Sequence, residues 1–293
     1  YSTAAGELDK LRWTHPIINL ITKYREYTKL KSTYVDALPK LVDKNSRLHT
    51  DFRLTIAQTG RLSSAEPNLQ NIPVRTEIGK KIREAFKAGE GKVLISAAQV
   101  YGVGNHEVTP DQRRHAKVIN FGILYGMSVH GLSVATGMNL PEAKTFLDKY
   151  KDLRKPLFEY TNSLIELAKK QGYVETLFGR RRPMPDIKSS NFIVRSSAER
   201  AAMNMPIQGT EADLMKMAMI QIQAKLENNF LKNDPDHSPQ QLLQIHDSII
   251  VECKESDAKK IEEVLVSTME NIYPKLGVKL KVDVSSGKTW GDL

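Results

Sequence analysis

Arg113, Lys117, Phe121 and Tyr125 recur every four residues, a spacing that lines them along one drifting face of a helix. Two cations come first and two aromatics follow. A nucleoside triphosphate needs that division: positive charge for its phosphates and a flat apolar surface for its base. The same spacing suits an amphipathic helix with core aromatics and solvated cations, and these four residues alone do not choose between the two. Arg200, Asn204 and Gln208 repeat at the same interval and form a polar stripe on a segment otherwise rich in Ala and Met. Residues 59–73 are rich in Gly, Ser, Asn, Gln and Pro, which predicts an irregular loop with many donors. Its Arg61, Gln70 and Asn71 can reach phosphates and the minor-groove acceptors that are similar for every base pair. Lys29, Lys31, Ser32 and Thr33 suit phosphate contact, and also an ordinary solvated basic run. His246-Asp247-Ser248 parts two apolar runs, so Asp247 is expected at the tip of a hairpin.

The elements that must position these residues are legible in outline. Residues 5–38 read as mostly helix, ended near Pro39. Residues 48–58 alternate like a strand, and Lys92 to Ala97 is a short apolar run suited to a buried strand. Thr109-Pro110-Asp111-Gln112 is a helix start, and that helix is expected to run to about Gly126, with Gly122 and Gly126 keeping its far end slim. Residues 141–170 read as one helix, and 191–230 as a long helix interrupted at Pro206. Residues 242–253 form the hairpin, 256–273 a helix and 278–284 a last strand. Helices and late-clustered strands in this order predict an α+β fold.

Composition sets the outer bounds. The chain has 293 residues, 40% hydrophobic and 26% charged, as in an ordinary globular protein. No run approaches the apolar length of a membrane span, and the start has no signal-peptide pattern. The absence of an initiator Met suggests a piece of a longer chain. The single cysteine, Cys253, excludes an intramolecular disulfide, and its apolar neighbours predict a buried thiol. A net charge of +9 favours an anionic partner, of which nucleic acid is the commonest.

Longer stretches narrow the class. Residues 113–126 closely resemble motif B of family A (polymerase I-type) DNA polymerases, their nucleotide-binding fingers helix. Residues 59–73, 206–213 and 244–247 are similar to three more signatures of that family, and 29–34 to its entry from thumb to palm, all in family order. The resemblance implies a right-hand polymerase fold: an antiparallel palm sheet flanked by helices, the fingers, and a remnant of the thumb. It divides the chain into a thumb-end helix (1–38), the first part of the palm (39–98), the fingers (99–190) and the second part of the palm (191–293). It implies deoxynucleoside triphosphate binding by Arg113, Lys117, Phe121 and Tyr125, with Lys117 and Asp247 in catalysis. Asp247 would be one of two aspartates holding two Mg²⁺ ions, and the mechanism two-metal nucleotidyl transfer. Primer–template DNA would lie against Lys29, Lys31, Ser32, Thr33, Arg61, Gln70, Asn71, Arg200, Gln208 and His246, with Asn204 added from its spacing alone. A monomer in the bacterial cytoplasm, without membrane contact, goes with this reading.

Two places depart from the family pattern. Ser248 replaces the usual Glu after Asp247, which lowers the expected metal affinity. More seriously, the run Val93-Leu94-Ile95-Ser96-Ala97 should lead into motif A, with the second metal-binding Asp; here Ala98-Gln99-Val100-Tyr101 follows instead, resembling sequence that the family places just before motif B. The chain therefore reads as spliced between about Ser96 and Gln99, and removal of the strand's continuation is expected to expose apolar palm surface. Neither Glu107 nor Asp111 sits in a motif that would replace the lost carboxylate. The readings that follow are a DNA polymerase by descent with impaired catalysis, a non-catalytic primer–template binder, and a deletion product that scarcely folds.

Overall fold

The structure, a computed structural model, describes residues 3–4, 7–8, 11, 13–74, 76–100, 119–120, 122–124, 126–230 and 238–293. Arg113, Lys117, Phe121 and Tyr125 lie outside the described residues, as do Glu107 and Asp111. The centre is a four-stranded antiparallel sheet of β3 (Lys92–Val100), β6 (Gln240–Ile245), β7 (Ser248–Lys254) and β8 (Lys281–Gly287) in the order β6-β7-β3-β8. Two further two-stranded ribbons stand apart from it, β1 (Asp51–Arg53) with β2 (Ser63–Ala65), and β4 (Tyr173–Glu175) with β5 (Arg181–Pro183). The described helices are α1 (Ile17–Leu30), α2 (Glu77–Glu84), α3 (Val129–Thr136), α4 (Leu140–Leu153), α5 (Lys155–Gln171), α6 (Phe192–Asn229) and α7 (Ala258–Glu270).

The pleat of the sheet assigns its side chains. Ile95 and Ala97 of β3, with Ile249, Val251 and Cys253 of β7, turn to one face, where α6 and α7 bring Met215, Ala218, Ile222, Ile261 and Leu265. Leu94 and Ile250 turn to the other face and meet Leu30, Tyr34, Leu69, Ile72 and Trp290. The sheet is thus covered on both sides, which is why β3 and β7 read as continuous apolar runs. A third cluster packs α5, β4 and the first half of α6, through Ala168, Val174, Ala202 and Met205. A fourth joins Ile123 to Leu132, Ala143 and Leu147.

Several sequence expectations need correction. The strand expected over 48–58 is only Asp51–Arg53. Thr50 there spends its hydroxyl on Ser64, Ala65 and Pro67, while Leu54 and Ile56 face solvent with no sheet to cover them. The helix expected over 141–170 is two helices, parted at Arg154 because Pro156 lacks the donor to continue the first and suits the first turn of the second. By contrast, α6 is one 38-residue helix through Pro206. Proline inside a helix costs about 3 kcal/mol; here Pro206 and its neighbours Ala202, Met205 and Gly209 are buried. Packing on both sides of the proline outweighs the one missing hydrogen bond. Gly126, by contrast, stands where the helix end is expected. Its φ is +85°, and the Met127 N–H donates to the Gly122 carbonyl at 2.7 Å, closing the helix end.

The junction at 96–99 also differs from expectation. β3 runs through it unbroken, paired with β7 as far as Ala98 and with β8 as far as Val100. Ala97 is fully buried and Gln99 nearly so. The apolar exposure expected there does not arise, because β3 keeps its pairing with both neighbours through these residues.

Candidate nucleic-acid interface

The hairpin of β6 and β7 turns through His246 and Asp247, with Ile245 paired to Ser248. His246 has φ +55°, a left-handed conformation that costs a non-glycine residue about 1–3 kcal/mol and persists only when its surroundings hold it. Those surroundings are on both flanks. The Gln244 Nε2 donates to the His246 carbonyl, and the Gln99 N–H donates to the Asp247 carbonyl at 3.0 Å. The tip is therefore clamped between its own strand and β3.

Loop 59–73 is tied to this tip and to the segment after α1. Gln70 Nε2 donates to the Gln244 carbonyl at 3.0 Å. Tyr34 Oη donates to the Asn71 carbonyl at 2.8 Å, and Arg83 Nη2 donates to the Ile72 carbonyl at 3.0 Å while stacking over Trp290. A polar, irregular loop thus keeps a fixed shape because Tyr34 and Arg83 satisfy its carbonyls and its own Gln70 is anchored on the hairpin. Arg61 leaves the loop beside Gly60 and reaches α6, where its Nε and Nη2 donate to the Glu211 Oε2 at 3.1 and 2.5 Å. Glu211 is mostly buried, and its other carboxylate oxygen, Oε1, is buried without a hydrogen-bond partner. Burial pushes its carboxyl above the ordinary range, Arg61 pulls it back, and nearby Asp247 pushes it up further. Arg61, Leu62, Lys216, Gln244 and His246 line a shallow surface cleft at this place.

A second junction holds the tip of the β4–β5 hairpin against α6. Arg180 donates to Asp213 Oδ1 and Thr176 to Asp213 Oδ2 at 2.8 Å, and the Leu177 N–H donates to Thr210 Oγ1. Gly209 permits the contact: a Cβ there would lie 2.5 Å from Thr176 Cγ2 and 3.3 Å from the Thr59 carbonyl.

The structure brings together Arg61, Gln70, His246 and Asp247 from among the residues singled out in the sequence. Gln70 has its amide nitrogen committed to the hairpin, so it positions the tip. Asn71 is exposed. Along α6, Arg200 is exposed and donates to Ser196, Gln208 is half-buried, and Asn204 is half-buried with its Oδ1 unpartnered. Lys29, Lys31, Ser32 and Thr33 are exposed around the turn that follows α1, with Lys31 paired to Asp36 at 2.6 Å. Sequence reasoning passed over Glu211 and Gln244, although both stand inside the quoted signatures; an acid three residues after Gln208 was the available signal.

The donors around Asp247 do not fit a two-metal centre. Ala98 presents a methyl group where the second aspartate is expected, and its neighbour across β7 is Ser248. Among the described residues no three His, Cys, Asp or Glu side chains gather to hold a metal ion. Two divalent cations need carboxylates from two strands; next to Ala98, β8 offers Asp283, but it does not gather with Asp247 and a third ligand into a metal-binding group among the described residues. Among the described residues, too, no helix is long and apolar enough to cross a membrane.

The sheet, the clamped hairpin and the long helix behind it define the architecture of a polymerase domain. The POL domain of Pol1 from M. smegmatis, solved in complex with DNA primer-template and dNTP, superposes with a TM-score of 0.91 at 37% identity, covering all of this chain and 57% of that one. The chain belongs to DNA polymerase family A, whose family model matches residues 1–98 and 95–292. It is 41% identical over 324 residues to the thermostable DNA polymerase I of Thermus aquaticus, and 40% identical over 328 residues to DNA polymerase I of Bacillus subtilis. These alignments cover 99% and 100% of the chain, which spans 38% and 36% of the length of those relatives. The two family matches meet at residues 95–98, and alignments of 324 and 328 residues exceed the chain's 293 by 31 and 35.

Proposed function

We propose that this chain binds primer–template DNA across loop 59–73, the hairpin tip and the polar stripe of α6, and that nucleotidyl transfer is weak or absent in it. The reaction of the family would join the primer 3′-hydroxyl to the α-phosphorus of a deoxynucleoside triphosphate, with pyrophosphate leaving. Binding rests on contacts that survive here: Arg61, Arg200, Gln208 and His246 for DNA, and Arg113, Lys117, Phe121 and Tyr125 for the nucleotide. The division into thumb end, palm and fingers at 38, 98 and 190, a monomeric state and a cytoplasmic setting go with this reading.

The observation that carries the loss of chemistry is Ala98, paired with Ser248 beside Asp247 on an unbroken β3. The break of the family match at 95–98 and the surplus length of the aligned relatives support a missing segment at that point. An interaction that acts mainly in the transition state lowers turnover more than ground-state binding, and Asp247 alone leaves half of the expected carboxylate set. Single-turnover primer extension, with magnesium and then manganese, tests the reading. The chain is compared with one carrying the family's missing segment after Ala97, and with a control carrying that segment with its Asp changed to Ala. The expected result is extension by the restored chain only. Extension by the unaltered chain at the restored rate would overturn the argument, and equal activity of the control would assign the segment to packing instead.

A further inference from the structure

Arg61 and Glu211 stand 150 residues apart in the chain and meet beside the hairpin tip. A guanidinium carries five N–H donors in one plane. Glu211 takes the Nε edge and one N–H of Nη2, and so fixes the rotation of the whole fork. The donors on the opposite edge are left for another acceptor. Arg61 is one-third exposed, whereas Glu211 is 12% exposed, so the carboxylate lies behind the arginine. Its Oε1 has no competing partner to draw the carboxylate away. The main chain just before it is also held, by the Gly60 N–H bond to the Ala57 carbonyl and by the packing of Arg180 against Gly60. The guanidinium is thereby one of the more firmly aimed groups on this surface, and it lines the same cleft as His246.

We propose that Glu211 is a positioning residue: it aims Arg61 at the minor-groove acceptors of the terminal base pair of a bound primer–template, and so makes binding sensitive to whether that pair is matched. This rests on the reading of Arg61 as a DNA contact. The acceptors of all correct pairs occupy similar places in the minor groove. A mispair displaces them, and a fork held by its back edge cannot follow. A free arginine could rotate to find them, and would distinguish the two poorly.

The test is equilibrium binding of this chain to two fluorescent primer–templates that differ only in a matched or mismatched 3′-terminal pair. The readout is the ratio of the two Kd values, which a general change in charge or stability leaves alone because it affects both. Glu211→Ala is expected to lower the ratio about tenfold, the scale of one well-oriented hydrogen bond to a charged group. Glu211→Gln, which still accepts from Arg61, should keep most of the ratio. Arg61→Ala should lose it, and the double variant, which leaves no charge unpaired, should match Arg61→Ala rather than fall further. A wild-type ratio in Glu211→Ala, with the ratio lost in Arg61→Ala, would overturn the positioning role and leave the DNA contact standing. An unchanged ratio in Arg61→Ala would overturn the contact itself and the positioning role with it.

Discussion

Cys253 has no exposed surface, sits on β7 among Ile95, Val251 and Ile261, and belongs to the core. Burial, with help from Asp257, Glu262 and Glu252, pushes its thiol up to about 12. The thiolate is the reactive form, so at pH 8 the native chain should resist iodoacetamide while the urea-unfolded chain reacts fully, as mass spectrometry can follow. Rapid native modification would mean that β7 opens locally. Gly209 carries a second residue-scale prediction. A methyl there must displace Thr176 Cγ2, the point where the β4–β5 tip docks on α6. Gly209→Ala should therefore cost about 1–3 kcal/mol, as overpacking does. Thr176→Ser removes the obstructing methyl but keeps the hydroxyl that donates to Asp213. The double variant should recover much of that loss in urea melts. Both residues were visible in the sequence, but the reason Gly209 must be small was not, since its obstacles come from residues 33 and 150 positions away.

Among the elements, α6 links the most. At 1.5 Å per residue it is about 57 Å long. Its buried side packs under the sheet and against α5, and it also presents Glu211 to Arg61 and Asp213 to Arg180. Its periodicity was plain from the sequence, but its continuity through Pro206 was not, because helix propensity cannot weigh packing on both flanks of a proline. The Arg200 side of this helix yields a prediction of its own. Arg200 is exposed, and a Cβ on Gly126 would lie 3.5 Å from its Cγ. Arg200→Ala should leave the melting temperature almost unchanged. It should weaken DNA binding about equally for all sequences, and reduce the slope of log Kd against log salt by about 1. Loss confined to one sequence would place Arg200 against bases and not phosphates.

For the molecule as a whole, charge and topology make separate statements. The net charge of +9 predicts binding to primer–template that falls steeply between low and moderate salt, because phosphate contacts release counterions. Titrations by fluorescence anisotropy at several salt concentrations check this, and a flat response would remove the proposed interface. Topology bears on the third reading, a deletion product that scarcely folds. β3 is paired on both sides through the junction, and cores lie on both faces of the sheet. Such a chain should melt cooperatively, with matching transitions by circular dichroism and tryptophan fluorescence; Trp290 in the second core is a suitable reporter.

What the sequence by itself determined is local or rests on order along the chain. The β6–β7 hairpin with Asp247 at its tip followed from two apolar runs and a polar break. The buried thiol of Cys253 followed from its neighbours, and family membership from five signatures in sequence. The departure at Ala98 was also readable, because it is a matter of which residue comes next. Only the tertiary structure decided that β3 continues through that departure. Strand pairing is a bargain with distant partners, here Asp283 and Ser248, which no window around Ala98 contains. It likewise decided that Gln70 braces the hairpin through Gln244, and that Glu211 holds Arg61 from behind. A side chain's composition names the groups it can bond. Which of them it meets, and which edge it leaves free, is set by the packing of elements far apart in the chain.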